Sequence, residues 1–156
     1  MTSRTPAPKM PARGIARSAA RLAAVQALYQ QQMEGTPEAQ LLDEFHRHRL
    51  GAEIEDVQFA DADRVHFDDV VKGVLARIEE IDALLSERLA DGWRLDRLDK
   101  TMVQVLRAGA YELLARADVA TATIITEYVD VAHAFFEERE AKFVNGVLDA
   151  VGKGVR

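Results

Sequence analysis

The sequence predicts an all-α protein, a single compact domain of about six or seven helices. Three observations predict it. Apolar residues recur at spacings of three and four along nearly the whole chain after residue 14. Alternating apolar and polar runs closed by turn signals, the mark of strands, are missing. Finally, 156 residues, 48% of them apolar, suffice for one domain with a sizeable core.

The elements follow in order. "MTSRTPAPKMPARG", residues 1–14, holds three of the four prolines and few apolar side chains. It is expected to be a disordered basic arm ahead of an all-helical domain over 15–156. In the first helix, Ile15, Leu22, Val25, Tyr29 and Met33 share the face expected to enter the core. Thr36 then Pro37 is a cap followed by a first helical position. The helix "PEAQLLDEFHRHRL" turns Leu41, Leu42 and Phe45 inward, and Gly51 ends it. An acidic connection covers 52–63. One long helix is expected over 65–90, with Phe67, Val71, Val74, Ile78, Ile81 and Leu85 alternating by four and three. "DGW" at 91–93 breaks it. Leu98, Met102, Val105, Leu106, Leu113 and Leu114 mark a helix over about 97–116. "ATIITEYVDVAHAFF" gives one more and "AKFVNGVLDAVG" the last. Gly73, Gly109 and Gly146 lie inside helical patterns, where glycine costs roughly 1 kcal/mol against alanine, and read as places of close helix approach.

Charge is distributed unevenly. The net charge is −6, yet the first acidic residue is Glu34. Ahead of it stand Arg4, Lys9, Arg13, Arg17 and Arg21, unopposed. Arg13, Arg17 and Arg21 recur every four residues and drift by only about 40° per step, so they form one stripe, about 130° from the Ile15/Leu22/Tyr29 face. A solvated face normally mixes signs for i, i+4 pairing, and cations at a helix N-terminus oppose the macrodipole. A polyanion partner accounts for the stripe, and nucleic acid is the expected one. A membrane surface fits less well, because the opposite face is needed for a core and is rich in small alanines. The acidic remainder confines attraction for phosphate to one region, which favours a strand or loop over a broad duplex surface.

The C-terminal "AKFVNGVLDAV" places Phe143, Val144, Val147, Leu148 and Val151 on or near an apolar face, and by periodicity alone it is an amphipathic helix. The strings add to this. "AVQALY" at 24–29, "VLRAGAYEL" at 105–113 and "KFVNGVLD" at 142–149 stand in the order and comparable spacing of a known family. From about Arg13 to Val151 the sequence resembles the NusB family of bacterial transcription antitermination factors, with "KFVNGVLD" the most specific piece. The resemblance implies two small helical bundles. It implies binding of single-stranded boxA RNA in ribosomal RNA transcripts, together with a ribosomal protein called NusE in its transcription role, so that RNA polymerase passes terminators.

Carried over residue by residue, the resemblance implies an RNA-binding set of Lys9, Arg13, Arg17, Arg21, Gln26, Lys142, Phe143 and Asn145. Ser18 and Ala19 stand where some relatives have further arginines, so the local patch is thinner, with Arg13, Lys9 and Arg4 upstream to compensate. Phe143 is expected either in the core or stacked on a base. Glu137, Glu138 and Glu140 limit the phosphate footprint at that end. Tyr29 is expected at the NusE-facing or core side. Asp91, Asp96 and Asp99 are candidate acids for docking a basic ribosomal protein.

Other classes fit less well. The four histidines, His46, His48, His66 and His133, lack metal-ligand spacing. No phosphate-loop, dinucleotide or nucleophile-elbow motif occurs. A related helical module precedes the catalytic domain of some ribosomal RNA cytosine methyltransferases; this chain ends at Arg156, and neither catalysis nor a cofactor is expected. "LLARADVATATIITEYVDVA" could be read as the helix-turn-helix of a DNA regulator, but its second helix carries Glu127 and Asp130 and no cation. A protein-only helical adaptor leaves the basic stripe unexplained. The absence of cysteine, of a secretory signal and of an apolar run near ~18 residues gives the expectation of a cytoplasmic protein.

Overall fold

The computed structural model describes residues 9–48, 50 and 60–156, with the backbone alone in 9–13 and 60–63. The described residues form seven α-helices and no strand: α1 (Lys9–Glu34), α2 (Glu38–His48), α3 (Ala60–Ala76), α4 (Ile78–Arg88), α5 (Lys100–Ala115), α6 (Thr121–Phe135) and α7 (Glu138–Val155). A short 3-10 turn, Leu95–Arg97, precedes α5. α1 packs on α2 and α3; α5 and α7 pack on each other and on both α4 and α6; and α1 also lies against α5 and α6. Two helical groups therefore share one continuous core, with Leu28, Phe45, Phe67, Leu106, Tyr128 and Leu148 fully or almost fully buried.

Three sequence expectations change. The arm was expected over 1–14; residues 1–8 lie outside the described residues, and α1 already begins at Lys9. Pro11 is tolerated because it falls in the first turn, where its missing N–H has no intrahelical partner to lose.

The core face of α1 differs as well. Ile15 and Met33 are exposed by 60% and 51%, while Ala16, Ala20, Ala23, Ala24, Val25, Ala27 and Leu28 are buried. α1 is surrounded by α3, α5 and α6. Alanines let those backbones approach closely, whereas a face of Ile, Tyr and Met would hold them apart.

The expected helix over 65–90 is two helices. At Arg77 the backbone leaves helical geometry (φ −119°, ψ 27°), and its N–H is shared between the carbonyls of Gly73 and Val74 at 3.1 and 3.2 Å. α3 runs along α1, while α4 turns away to meet α5 and α7. The apolar period continues through the bend, so spacing alone does not reveal it.

Two of the three helical glycines are close approaches. A Cβ on Gly73 would stand 2.1 Å from the Tyr111 ring, and one on Gly109 would stand 2.7 Å from Leu148. Gly146 faces open space. The break at 91–93 holds as expected: Gly92 adopts φ +90°, a conformation open to glycine at little cost. At the far end, the Arg156 guanidinium donates to the carbonyls of Leu113, Arg116 and Val119 and ties α7 to the α5–α6 connection. Among the described residues no helix is long and apolar enough to cross a membrane.

Candidate nucleic-acid interface

The basic stripe does not remain intact. Arg17 is half-buried on α1, but Arg21 is 2% exposed. Because the alanine side of α1 faces inward, position 21 points into the protein. Its guanidinium makes a fork with Glu112 of α5, with Nε to Oε2 at 2.9 Å and Nη2 to Oε1 at 3.0 Å. Nη1 donates to Glu127 of α6 at 3.1 Å. The expectation that Arg21 presents its charge to RNA is corrected: that charge is neutralised inside the molecule. The side chains of Lys9 and Arg13 lie outside the described set.

Glu112 is fully buried and accepts four hydrogen bonds from three side chains. Besides the Arg21 fork, Tyr128 Oη donates at 2.5 Å and His66 Nε2 at 3.1 Å. His66 Nδ1 faces Arg116 Nη1 at 3.4 Å, so the neighbouring donor assigns the ring proton to Nε2. Burial by itself would raise the Glu112 carboxyl, but the hydrogen bonds from His66 and Arg21 outweigh it and hold it down at about 2. Tyr128, buried beside that carboxylate, is pushed well above its ordinary value. The network continues outward. Arg116 bonds Asp69 at 3.0 Å and grips Asp118 with two bonds of 2.9 Å; Asp69 in turn accepts from Tyr111 at 2.7 Å. The bond from Arg116, with Arg17 contributing from farther off, holds the Asp118 carboxyl far below the usual range. Ser18 Oγ donates to Glu127 at 2.6 Å. This web fixes the N-terminal half of α1 against α5 and α6.

The remaining RNA candidates occupy two surfaces. Gln26 is exposed and Tyr29 is 38% exposed, and both line a groove of about 330 Å³ with Gln30, Glu34 and Phe135. Lys142 and Asn145 are exposed on α7 and share a groove of about 240 Å³ with Thr126 and Val129 of α6. Phe143 is half-buried. It packs on the edge of the core, and its ring lies 5.6 Å from that of Trp93. Neither full burial nor free exposure describes it.

The three aspartates differ in kind. Asp99 caps α5, accepting from the backbone N–H of Thr101 and Met102 at 2.8 and 3.1 Å. Asp96 is exposed and bound by both arms of Arg94, whose hydrogen bonds hold its carboxyl below the ordinary range. Asp91 is exposed in the turn before Trp93.

Sequence reasoning missed Trp93, Phe135 and the Glu112 network. A signal for the last was present: Glu112 is the one charged residue in "AGAYELL", residues 108–114, among apolar and small neighbours. An acid on a core face needs a buried cation.

Comparison with known proteins agrees with this architecture. The model of the NusB family matches residues 18–153. Transcription antitermination protein NusB of Novosphingobium aromaticivorans is 76% identical over 143 residues, covering 92% of this chain and 97% of the relative. That of Caulobacter vibrioides is 49% identical over 140 residues, covering 90% and 94%. Among solved structures, T. maritima NusB superposes with a TM-score of 0.73 at 28% identity, covering 97% of this chain and 93% of the other. A chain from a crystal structure of antitermination factors NusB and NusE in complex with dsRNA gives 0.74 at 26% identity, covering 90% and 98%. On a family match that spans most of its length and relatives of this identity, the chain belongs to the NusB family.

Proposed function

We propose that this chain is a cytoplasmic, non-enzymatic transcription antitermination factor. It binds single-stranded boxA-type RNA of ribosomal RNA transcripts together with the ribosomal protein NusE, within the antitermination complex of RNA polymerase. The observation that carries the reading is the superposition on the chain from the NusB–NusE–dsRNA structure over 90% of this chain. Local features support it. Arg17 and Gln26 lie on α1, and Lys142, Phe143 and Asn145 on α7 offer a cation, an aromatic ring and an amide within four residues. Phosphate contacts position a strand, while amides and rings engage bases. Lys9 and Arg13 extend the basic segment upstream. Arg21 acts beneath the surface, holding α1 in place.

The docking face for NusE is better supplied by apolar side chains than by the three aspartates. Tyr29 and Phe135 are exposed by 38% and 40% around one groove, and Met33 is exposed one turn beyond Tyr29. Exposed aromatic and methionine side chains gathered in one place are typical interface anchors. Asp91 remains available as a rim charge for a basic partner, whereas Asp96 is paired with Arg94 and Asp99 is engaged as a cap.

The test is a titration with a labelled boxA-type oligonucleotide, single- and double-stranded, with and without purified NusE. The expected result is preference for the single strand and tighter binding with NusE present, because two weak RNA surfaces become one tethered surface. No binding to either RNA form in any mixture overturns the reading.

A further inference from the structure

We infer that Trp93 forms, with Phe143, a two-ring platform on which a base of single-stranded RNA stacks, and that the groove beside it guides the adjoining backbone. The inference rests on the RNA-binding reading above and adds a residue and a path to it.

The placement of Trp93 is built rather than incidental. Asp91 and Gly92 make the turn after α4, and Gly92 adopts φ +90°. The Trp93 N–H then bonds the Ala90 carbonyl at 3.0 Å. This fixes the backbone from which the side chain projects, and the indole ring meets Phe143 of α7 at a centroid distance of 5.6 Å and a tilt of 38°. The pair is within the usual range for interacting aromatic rings. Phe143 is anchored on the core, yet Trp93 keeps 55% of its surface open. A large ring held in position and left uncovered is a stacking surface, since every base offers a π-face to it.

The surroundings favour a polyanion. Lys142 precedes Phe143 and is exposed. Trp93 also lines a groove of about 480 Å³ that includes Arg94, Lys100 and Arg107. Asp82 and Asp96 line it too; they hold Arg107 and Arg94 in ion pairs, leaving the groove one cation in excess. The Arg94–Asp96 pair is solvent-exposed, so the guanidinium edge that faces away from the carboxylate is open to a phosphate. Gln32 lines the same groove from the end of α1, so it connects the α7 surface with the helix that carries Arg17 and Gln26. A strand that stacks on the two rings can therefore continue along this groove, with its one cation in excess, toward α1.

The alternative occupant of an exposed tryptophan is a protein. The cations beside the rings and the continuity with Lys142, Phe143 and Asn145 favour RNA. The chain has one tryptophan, so its fluorescence reports on this site alone. The experiment uses the full chain and a labelled single-stranded boxA-type oligonucleotide. RNA binding is followed by anisotropy and the indole by its own emission, with NusE alone as a separate arm. The expected result is quenching of tryptophan emission along the same isotherm as the anisotropy. Trp93→Ala should weaken RNA binding about 5- to 150-fold with little change in melting temperature, and Trp93→Phe should restore most of the loss. RNA binding by the wild type without quenching, and with unchanged affinity in Trp93→Ala, overturns the platform and leaves the functional reading standing. Quenching by NusE alone, with RNA leaving the emission unchanged, likewise overturns it and assigns the ring to protein docking. A wild type that binds no RNA overturns both.

Discussion

Arg21 and Glu112, 91 positions apart in sequence, form a two-bonded ion pair at 2.9 and 3.0 Å, with 3% and 0% of their side-chain surfaces exposed. The pair joins the helix expected to meet RNA to the centre of the fold. It also divides the basic segment by role, because Arg17 retains access to solvent and Arg21 does not.

Breaking this pair should be costly. A buried ion pair that loses one partner leaves an uncompensated charge, at about 3–5 kcal/mol. Arg21→Ala and Glu112→Ala should each lower the melting temperature by roughly 6–20 °C for a domain of this size. The double variant should lose less than the sum of the two, because the second change removes the stranded charge. Additive losses in thermal melting would show that the two residues act independently.

Acid should find the same network. Glu112 has an ordinary value of 4.5 and is held at about 2 in the fold. Between those values the unfolded chain binds a proton that the folded chain does not, so stability falls as pH falls. The contribution is fully present above about 4.5 and disappears toward 2; it is on the order of 3 kcal/mol. Denaturant titrations across this range should show the decline in the wild type. Glu112→Gln, less stable at neutral pH, should show a flatter acid limb, and an equally steep limb would place the titration elsewhere.

The legible and illegible parts of the fold have physical reasons. Leu41, Leu42 and Phe45 of α2 follow their spacing into the core because that helix has one buried side, whereas α5, packed by α1, α3, α4, α6 and α7, buries Met102, Val105 and Leu106 along with residues on its other sides. α1 misleads because it is enclosed by several helices, so small residues go inward and Ile15 and Met33 go outward. The bend at Arg77 leaves no mark, since both α3 and α4 keep their apolar residues in phase. For the candidate site, the helical pattern of "KFVNGVLD" puts Lys142, Phe143 and Asn145 on the last helix, where α7 has them, but their company cannot be read from it. Trp93 lies 50 positions upstream of Phe143, and only the fold joins the two rings.

Salt dependence should report which cations meet phosphate. For single strands the slope of log affinity against log salt is about −0.7 per phosphate neutralised. With Arg21 occupied internally, Lys9, Arg13, Arg17 and Lys142 remain, giving a slope of roughly −3 if each takes one phosphate. Arg17→Ala should make it shallower by about 0.7 while helix content stays unchanged. An unchanged slope would remove Arg17 from the RNA surface.

The partner face yields the last expectation. Tyr29 and Phe135 approach one groove from α1 and α6, and Met33 extends the exposed surface toward the end of α1. None of the three has the burial of a core residue, so truncating them should disturb the fold little. Anchors of this kind, once covered by a partner, each cost about 2 kcal/mol or more when cut to alanine. Tyr29→Ala and Phe135→Ala should therefore weaken NusE binding more than about tenfold, chiefly through faster dissociation. Asp91→Asn should instead slow association and reduce its salt dependence, as expected of a rim charge facing a basic protein. RNA affinity measured without NusE should stay near the wild-type value in the Phe135 variant, because that residue belongs to none of the RNA contacts proposed above. Surface-binding kinetics with immobilised NusE, run beside the RNA titration, separate the cases. If Phe135→Ala weakens RNA binding alone and leaves NusE binding intact, the groove belongs to the RNA path and the partner docks elsewhere.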